Sequence, residues 1–145
     1  FIVNKPARIK LSKVTGEIGS FDTDLYLGGP VNVNSLFYVH SRGDIIKDSL
    51  LIMEGVYWGG DMEDIRKFIA SGELTSNDIR FYAGYSWWES RQLDREMKEH
   101  SWIVIDGLKR YVFGSHPTGL WKKIVLSLGD DYAPWVNYPY DPNMN

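Results

Sequence analysis

The chain has 145 residues, with 16 Lys and Arg against 19 Asp and Glu, for a formal net charge of −3. A chain of that length makes one ordinary domain and buries roughly 70% of its unfolded surface, so its core needs no disulfide or metal staple. It has no cysteine, which excludes disulfide scaffolds, thiolate-held zinc, iron–sulfur clusters and thiol nucleophiles. No apolar run approaches the ~18–20 residues of a membrane-spanning helix, and Asn4, Lys5, Pro6 and Arg8 follow the first residues where a signal peptide would be apolar. The expectation is a cytoplasmic α+β domain.

In chain order, Phe1-Ile2-Val3 reads as a strand already under way and ended by Pro6, which suggests that an upstream part is missing. Arg8 to Leu11 alternates polar and apolar, as a strand with one buried face does. Thr15 to Asp24 is rich in Gly, Ser and Asp and reads as a surface loop. Leu25-Tyr26-Leu27 runs into Gly28-Gly29-Pro30, a sharp backbone stop. Leu36 to His40 is a strand, followed by turn chemistry at Ser41-Arg42-Gly43-Asp44. Ser49–Met53 and Gly55–Trp58 form a pair of strands.

Asp61 then caps a helix whose stripe is Met62, Ile65, Phe68 and Ile69, with Gly72 as its stop. Ile79 to Ala83 is a strand ended by Gly84. A second helix spans Glu89 to His100, with Leu93 and Met97 inward. Trp102–Ile105 and Lys109–Phe113 read as a hairpin around Asp106-Gly107. A third helix follows His116-Pro117, with Leu120, Trp121, Ile124, Val125 and Leu128 inward and Gly129 closing it. Residues 1–129 thus form one domain. Residues 130–145 are an aromatic, Pro-rich tail (Tyr132, Trp135, Tyr138, Tyr140) that lies across its own domain or a partner's, a candidate homo-oligomer contact.

The chemistry-bearing patterns are mostly explained by structure. Gly84-Tyr85-Ser86-Trp87-Trp88 sits between strand and helix like a nucleophile elbow, but Trp88 stands where a second small residue is needed. Ser86 and Glu89 have capping-box spacing instead. His40 and Ser41 are neighbours on a strand and point to opposite faces. His40, His100 and His116 lack metal-ligand spacing, and Asp61, Glu63 and Asp64 read as a helix cap. No metal or cofactor set emerges. Basic residues gather at Lys5, Arg8, Lys10 and Lys13, and at Lys109-Arg110 with Lys122-Lys123. The second helix interleaves Arg91, Arg95 and Lys98 with Asp94, Glu96 and Glu99. The charge balance argues against direct DNA binding.

Phe1-Ile2-Val3-Asn4-Lys5-Pro6, Tyr26-Leu27-Gly28-Gly29-Pro30-Val31, Val39-His40-Ser41, Gly59-Gly60-Asp61, Gly84 to Leu93 and Trp102 stand in an order and spacing that resembles the AlgH/YqgE family of small bacterial proteins. The resemblance covers residues 1–129. Ser86, Trp87 and Ser90 depart from it, since the family usually has Ala, Gly and Gly there. It implies a bent, partly barrel-like, mostly antiparallel sheet with about three flanking helices, an upstream segment, and a regulatory role in transcription. It implies no particular reaction.

The candidate binding surface is Gly28, Gly29, Pro30, His40, Ser41, Tyr85, Trp88 and Gln92, the motif residues that hold little core. The glycines would supply rigid shape, Tyr85 and Trp88 stacking, and His40, Ser41 and Gln92 hydrogen bonds to a protein partner or small ligand. The chain then reads as a non-catalytic binding or regulatory protein. The alternative is an enzyme using His40 as a base in a cleft near Tyr85–Gln92.

Overall fold

A computed structural model describes residues 1–15, 18, 21, 23–114 and 117–137. His116, Tyr138 and Tyr140, singled out above, lie outside the described residues.

Among the described residues six strands form one sheet: β1 (Pro6–Lys10), β2 (Asp24–Leu27), β3 (Val31–His40), β4 (Leu50–Met53), β5 (Val56–Trp58) and β6 (Ile79–Tyr85). Their spatial order is β1-β2-β6-β3-β5-β4. Among the described residues β2–β6 is the one parallel pair; β1–β2, β6–β3, β3–β5 and β5–β4 are antiparallel. Four α-helices accompany the sheet among the described residues: α1 (Met62–Ser71), α2 (Gln92–Lys98), α3 (Lys109–Phe113) and α4 (Leu120–Ser127). The fold is α+β and mostly antiparallel, as expected. The sheet does not close into a barrel, because β1 and β4 remain edges. No helix among the described residues is long and apolar enough to cross a membrane.

β6 is central, and its alternation explains why the sheet is covered on both faces. Ile79 and Phe81 enter one core with Leu11, Leu25, Ile46, Ile65 and Leu74, packed under α1. Tyr82 enters the other with Tyr26, Val39, Val56 and Val112, packed under α3. Arg80 shares that second face, is 6% exposed, and lays its guanidinium 4.6 Å from the Tyr26 ring centre. It donates to the Gly114 carbonyl and, at 3.4 Å, to that of Val3.

Local signals hold at α1. The Asp61 carboxylate accepts from the N–H groups of Glu63 and Asp64 at 2.7 and 3.2 Å, and Gly72 ends the helix at φ 78°. Elsewhere the fold departs from expectation. Phe1–Val3 is not a strand, although the Ile2 N–H donates to Gly28 at 2.8 Å. Ile18, from the segment read as a surface loop, is buried. The second helix is shorter, and Leu93 and Met97 are exposed rather than inward. The hairpin across Asp106-Gly107 does not form. Residues 101–108 are irregular, and Lys109–Phe113 turns into a helix because Val112 and Phe113 pack on the second core.

Candidate functional site

The register of β3 on β6 separates the residues that the sequence grouped. Val31 lies opposite Tyr85 at one end, and His40 lies opposite Ile79 at the other. Six residues along β6 span about 20 Å. Gly28, Gly29, Pro30, Tyr85, Trp88 and Gln92 therefore belong to one end of the sheet, and His40 and Ser41 to the other.

At the His40 end the polar groups of His40 and Ser41 are committed. His40 is 0% exposed and stacks on Tyr57 at 5.7 Å. Its Nδ1 accepts from the Arg42 N–H at 3.1 Å, which leaves the proton on Nε2, 3.0 Å from the Gly59 carbonyl and 3.1 Å from Ser49 Oγ. Burial pushes the imidazole below its ordinary value, against the opposing pull of the Gly59 carbonyl and Asp44. Ser41 donates its N–H to the Asp78 carbonyl at 2.8 Å and its hydroxyl to the Asp78 carboxylate at 3.4 Å. Burial works against that carboxylate, yet hydrogen bonds from Thr75 and Ser41 hold it below the usual range. This is a braced corner. His40 is thus a buried imidazole about 20 Å from Tyr85 along the sheet, and the structure does not bring it to a cleft near Tyr85–Gln92.

At the other end the glycines serve close approach. A Cβ on Gly29 would lie 2.2 Å from the Tyr85 carbonyl carbon, and one on Gly28 would lie 2.3 Å from the Gly84 oxygen. Gly84 itself has φ 69°. The Gly28–Pro30 and Gly84–Ser86 segments cross in backbone contact, and Ser86 Oγ donates to the Gly28 carbonyl at 3.3 Å. Tyr85 packs edge-on against Phe37 at 5.3 Å.

Trp88 and Gln92 turn inward upon one carboxylate. Glu96 Oε2 accepts from the indole N–H groups of Trp88 and Trp102 at 3.1 and 2.7 Å. Glu96 Oε1 accepts from Gln92 at 2.8 Å, and Gln92 in turn accepts from the Glu89 N–H. That last bond replaces the expected Ser86–Glu89 capping box; α2 starts at Gln92 with Arg91 in the left-handed region and no side-chain cap.

The open feature lies elsewhere. A cavity of about 1220 Å³ opens between β1 and α4. Pro6, Ala7 and Leu27 form its apolar floor, and Trp121 and Trp135, each 47% exposed, form its aromatic walls. Lys5, Arg8 and Lys122 line it too, and among the described residues no carboxylate does. Among the described residues, none of these three cations is in an ion pair. The sequence reading missed this site. Trp121 shares the helical stripe of Ile124, Val125 and Leu128 and was expected inward, whereas only Val125 is fully buried. The available signal was the pair of basic groups, Lys5-Arg8 and Lys122-Lys123, at opposite ends of the chain.

The profile of the AlgH-like family matches residues 1–133. A UPF0301 protein of Cytophaga hutchinsonii is 38% identical over 146 residues, covering 100% of this chain and 80% of its own length. Another, from Parabacteroides distasonis, is 37% identical over 147 residues and is covered over 74% of its length. The solution structure of the AlgH protein from Pseudomonas aeruginosa superposes with a TM-score of 0.67 at 22% identity, over 96% of this chain and 76% of that one. A Corynebacterium diphtheriae protein superposes at 0.70 and 21%, over 94% and 73%. At those identities the two structures speak for the fold alone, while the profile and the sequence relatives agree with the ordered motifs read above. The chain belongs to the AlgH-like, UPF0301 family.

Proposed function

We propose that this protein is a binding module without covalent chemistry of its own, holding its ligand in the cleft between β1 and α4. The observation that carries this reading is that two half-exposed tryptophans face a hollow of about 1220 Å³ rather than a packed core. Ligand sites are concave, mostly apolar and furnished with a few placed polar groups. The motif residues at Gly28–Pro30, Tyr85 and Trp88–Gln92 act as the frame that fixes the sheet end and α2. A regulatory role in the bacterial cytoplasm would then run through the bound ligand or a protein partner. The net charge of −3 and the Asp94, Glu96 and Glu99 carboxylates among the cations of the α2 region disfavour a grip on DNA phosphates.

The side-chain indole N–H resonances of the six tryptophans test this in a ¹⁵N–¹H NMR titration with the aromatic probe 8-anilinonaphthalene-1-sulfonate. Shifts concentrated at Trp121 and Trp135 support the cleft. Shifts centred on Trp87 and Trp88 instead would overturn it.

A further inference from the structure

We propose that the cleft selects an organic anion: a flat, apolar body carrying one acidic group, a carboxylate, phosphate or sulfonate. This rests on the binding reading above and specifies its ligand class. The walls and the charges supply separate halves of that recognition. Trp121 and Trp135 present ring surface to a flat body, and the Tyr132 ring, edge-on to Trp135 at 5.9 Å, helps fix one wall. Pro6, Ala7 and Leu27 close the floor without offering a hydrogen bond from a side chain. Among the described residues the lining holds three cations and no carboxylate, in a protein whose net charge is −3. Positive charge concentrated against that background is a local feature that an anion would neutralise.

The backbone of β1 is bent to keep one of those cations at the rim. Pro6 pairs with Tyr26 and Lys10 with Asp24, so β1 spends four steps where β2 spends two. Arg8 sits in this bulge at φ 59°, a left-handed conformation that a non-glycine residue adopts only at a cost. Bulges re-aim side chains at strand edges and beside binding sites. Here the residue so placed is an arginine whose planar fork suits an acidic group, and it lines the cleft. Lys5 and Lys122 reach the same cleft from the chain start and from α4.

A single-stranded nucleic acid also combines rings and phosphates, but it needs a continued basic track. The neighbouring Lys10 already faces Asp24 at 2.9 Å, which interrupts that track along β1.

The test compares two probes that share an aromatic body: 8-anilinonaphthalene-1-sulfonate and the uncharged N-phenyl-1-naphthylamine, followed by fluorescence on the intact chain. The sulfonate should bind with one-to-one stoichiometry and at least about tenfold more tightly than the uncharged probe. Added sodium chloride should weaken the first and not the second. Lys122→Gln, on the exposed face of α4, should weaken the sulfonate about threefold or more and leave the uncharged probe unchanged; Arg8→Gln should do the same. Millimolar inorganic phosphate should not displace the bound probe, because it lacks the body.

Equal affinity for both probes would overturn the anion assignment while leaving the cleft as a binding site. No binding of either would overturn the binding reading itself. Displacement by an oligothymidylate at lower concentration than by free sulfonate probe would overturn the small-anion assignment in favour of a nucleic-acid strand.

Discussion

Trp88 and Trp102 meet edge to face with ring centres 5.7 Å apart, and both donate their indole N–H to the same oxygen of Glu96. One carboxylate thereby ties the turn after β6 to the irregular segment after α2, a region in which α2 itself buries no residue. Hydrogen bonds from Trp102 and Gln92, with a smaller one from Trp88, hold the Glu96 carboxyl below the usual carboxylate range despite the opposing effect of burial. A lowered folded-state value means that this tie is at full strength above the unfolded value of about 4.3 and fades as pH falls through the lower folded value. Near-ultraviolet circular dichroism should therefore lose tryptophan signal in a step below about pH 4.3. Glu96→Gln should remove that step and show a reduced signal already at neutral pH. An unchanged acid titration in the variant would contradict the tie.

His40 gives a pH dependence in a different window. Burial lowers its value in the folded chain, so the unfolded chain binds the proton more readily. Stability is complete above the unfolded value of about 6.5 and declines as pH falls below it. Urea midpoints measured from about pH 7.5 to about pH 5.5 should fall in the native protein. His40→Gln should flatten that slope and cost about 1–3 kcal/mol at neutral pH, because the Arg42 N–H or the Gly59 carbonyl loses its partner. A slope that survives the substitution would assign the effect to other groups.

The glycines separate steric demand from backbone strain. Gly29→Ala would place its Cβ 2.2 Å from backbone that cannot swing away, so a loss above about 3 kcal/mol, or failure to fold, is expected. Gly72 has φ 78° but open space around it. Gly72→Ala should cost only about 1–2 kcal/mol. Equal costs in urea unfolding would show that the two segments do not cross as closely as described.

Arg80 bridges the second core to the first residues of the chain and to the end of α3 by its contacts with Tyr26, Val3 and Gly114. Arg80→Ala removes the ring contact and takes a donor from the half-buried Val3 and Gly114 carbonyls, for about 1–3 kcal/mol. Arg80→Lys keeps the charge without the planar stack and should recover less than half of that. Full recovery by lysine in guanidinium unfolding would mean that charge alone matters there.

Much of the sheet and α1 could be read from the chain because their signals are local. Asp61 and Gly72 mark the ends of α1, and the run from Ile79 to Ala83 stopped by Gly84 marks a strand. Gly107 shows where local reading fails. Asp106-Gly107 looks like a hairpin turn, but Gly107 lies against the Met53 thioether, where an added Cβ would come 2.6 Å from Sδ and push that flexible side chain aside, and Val112 takes the following residues into a helix against Tyr82. The same ambiguity holds at Gly28 and Gly29: they suggest a ligand-facing turn, and in the structure they make a close backbone crossing. The cleft was harder still. Lys5 and Arg8 are separated from Trp121 and Lys122 by more than a hundred residues, the β1 bulge has no sequence signature, and Trp121 has the spacing of a core residue.

The most direct measurement sets the two candidate surfaces against each other. 8-Anilinonaphthalene-1-sulfonate is titrated into the double variants Trp121→Ala/Trp135→Ala and Trp88→Ala/Gln92→Ala, with urea unfolding followed on each. The cleft account predicts that the first loses probe binding while its unfolding free energy changes by less than about 2 kcal/mol, and that the second binds as the native protein does. Probe binding that survives in the first and disappears in the second would contradict it.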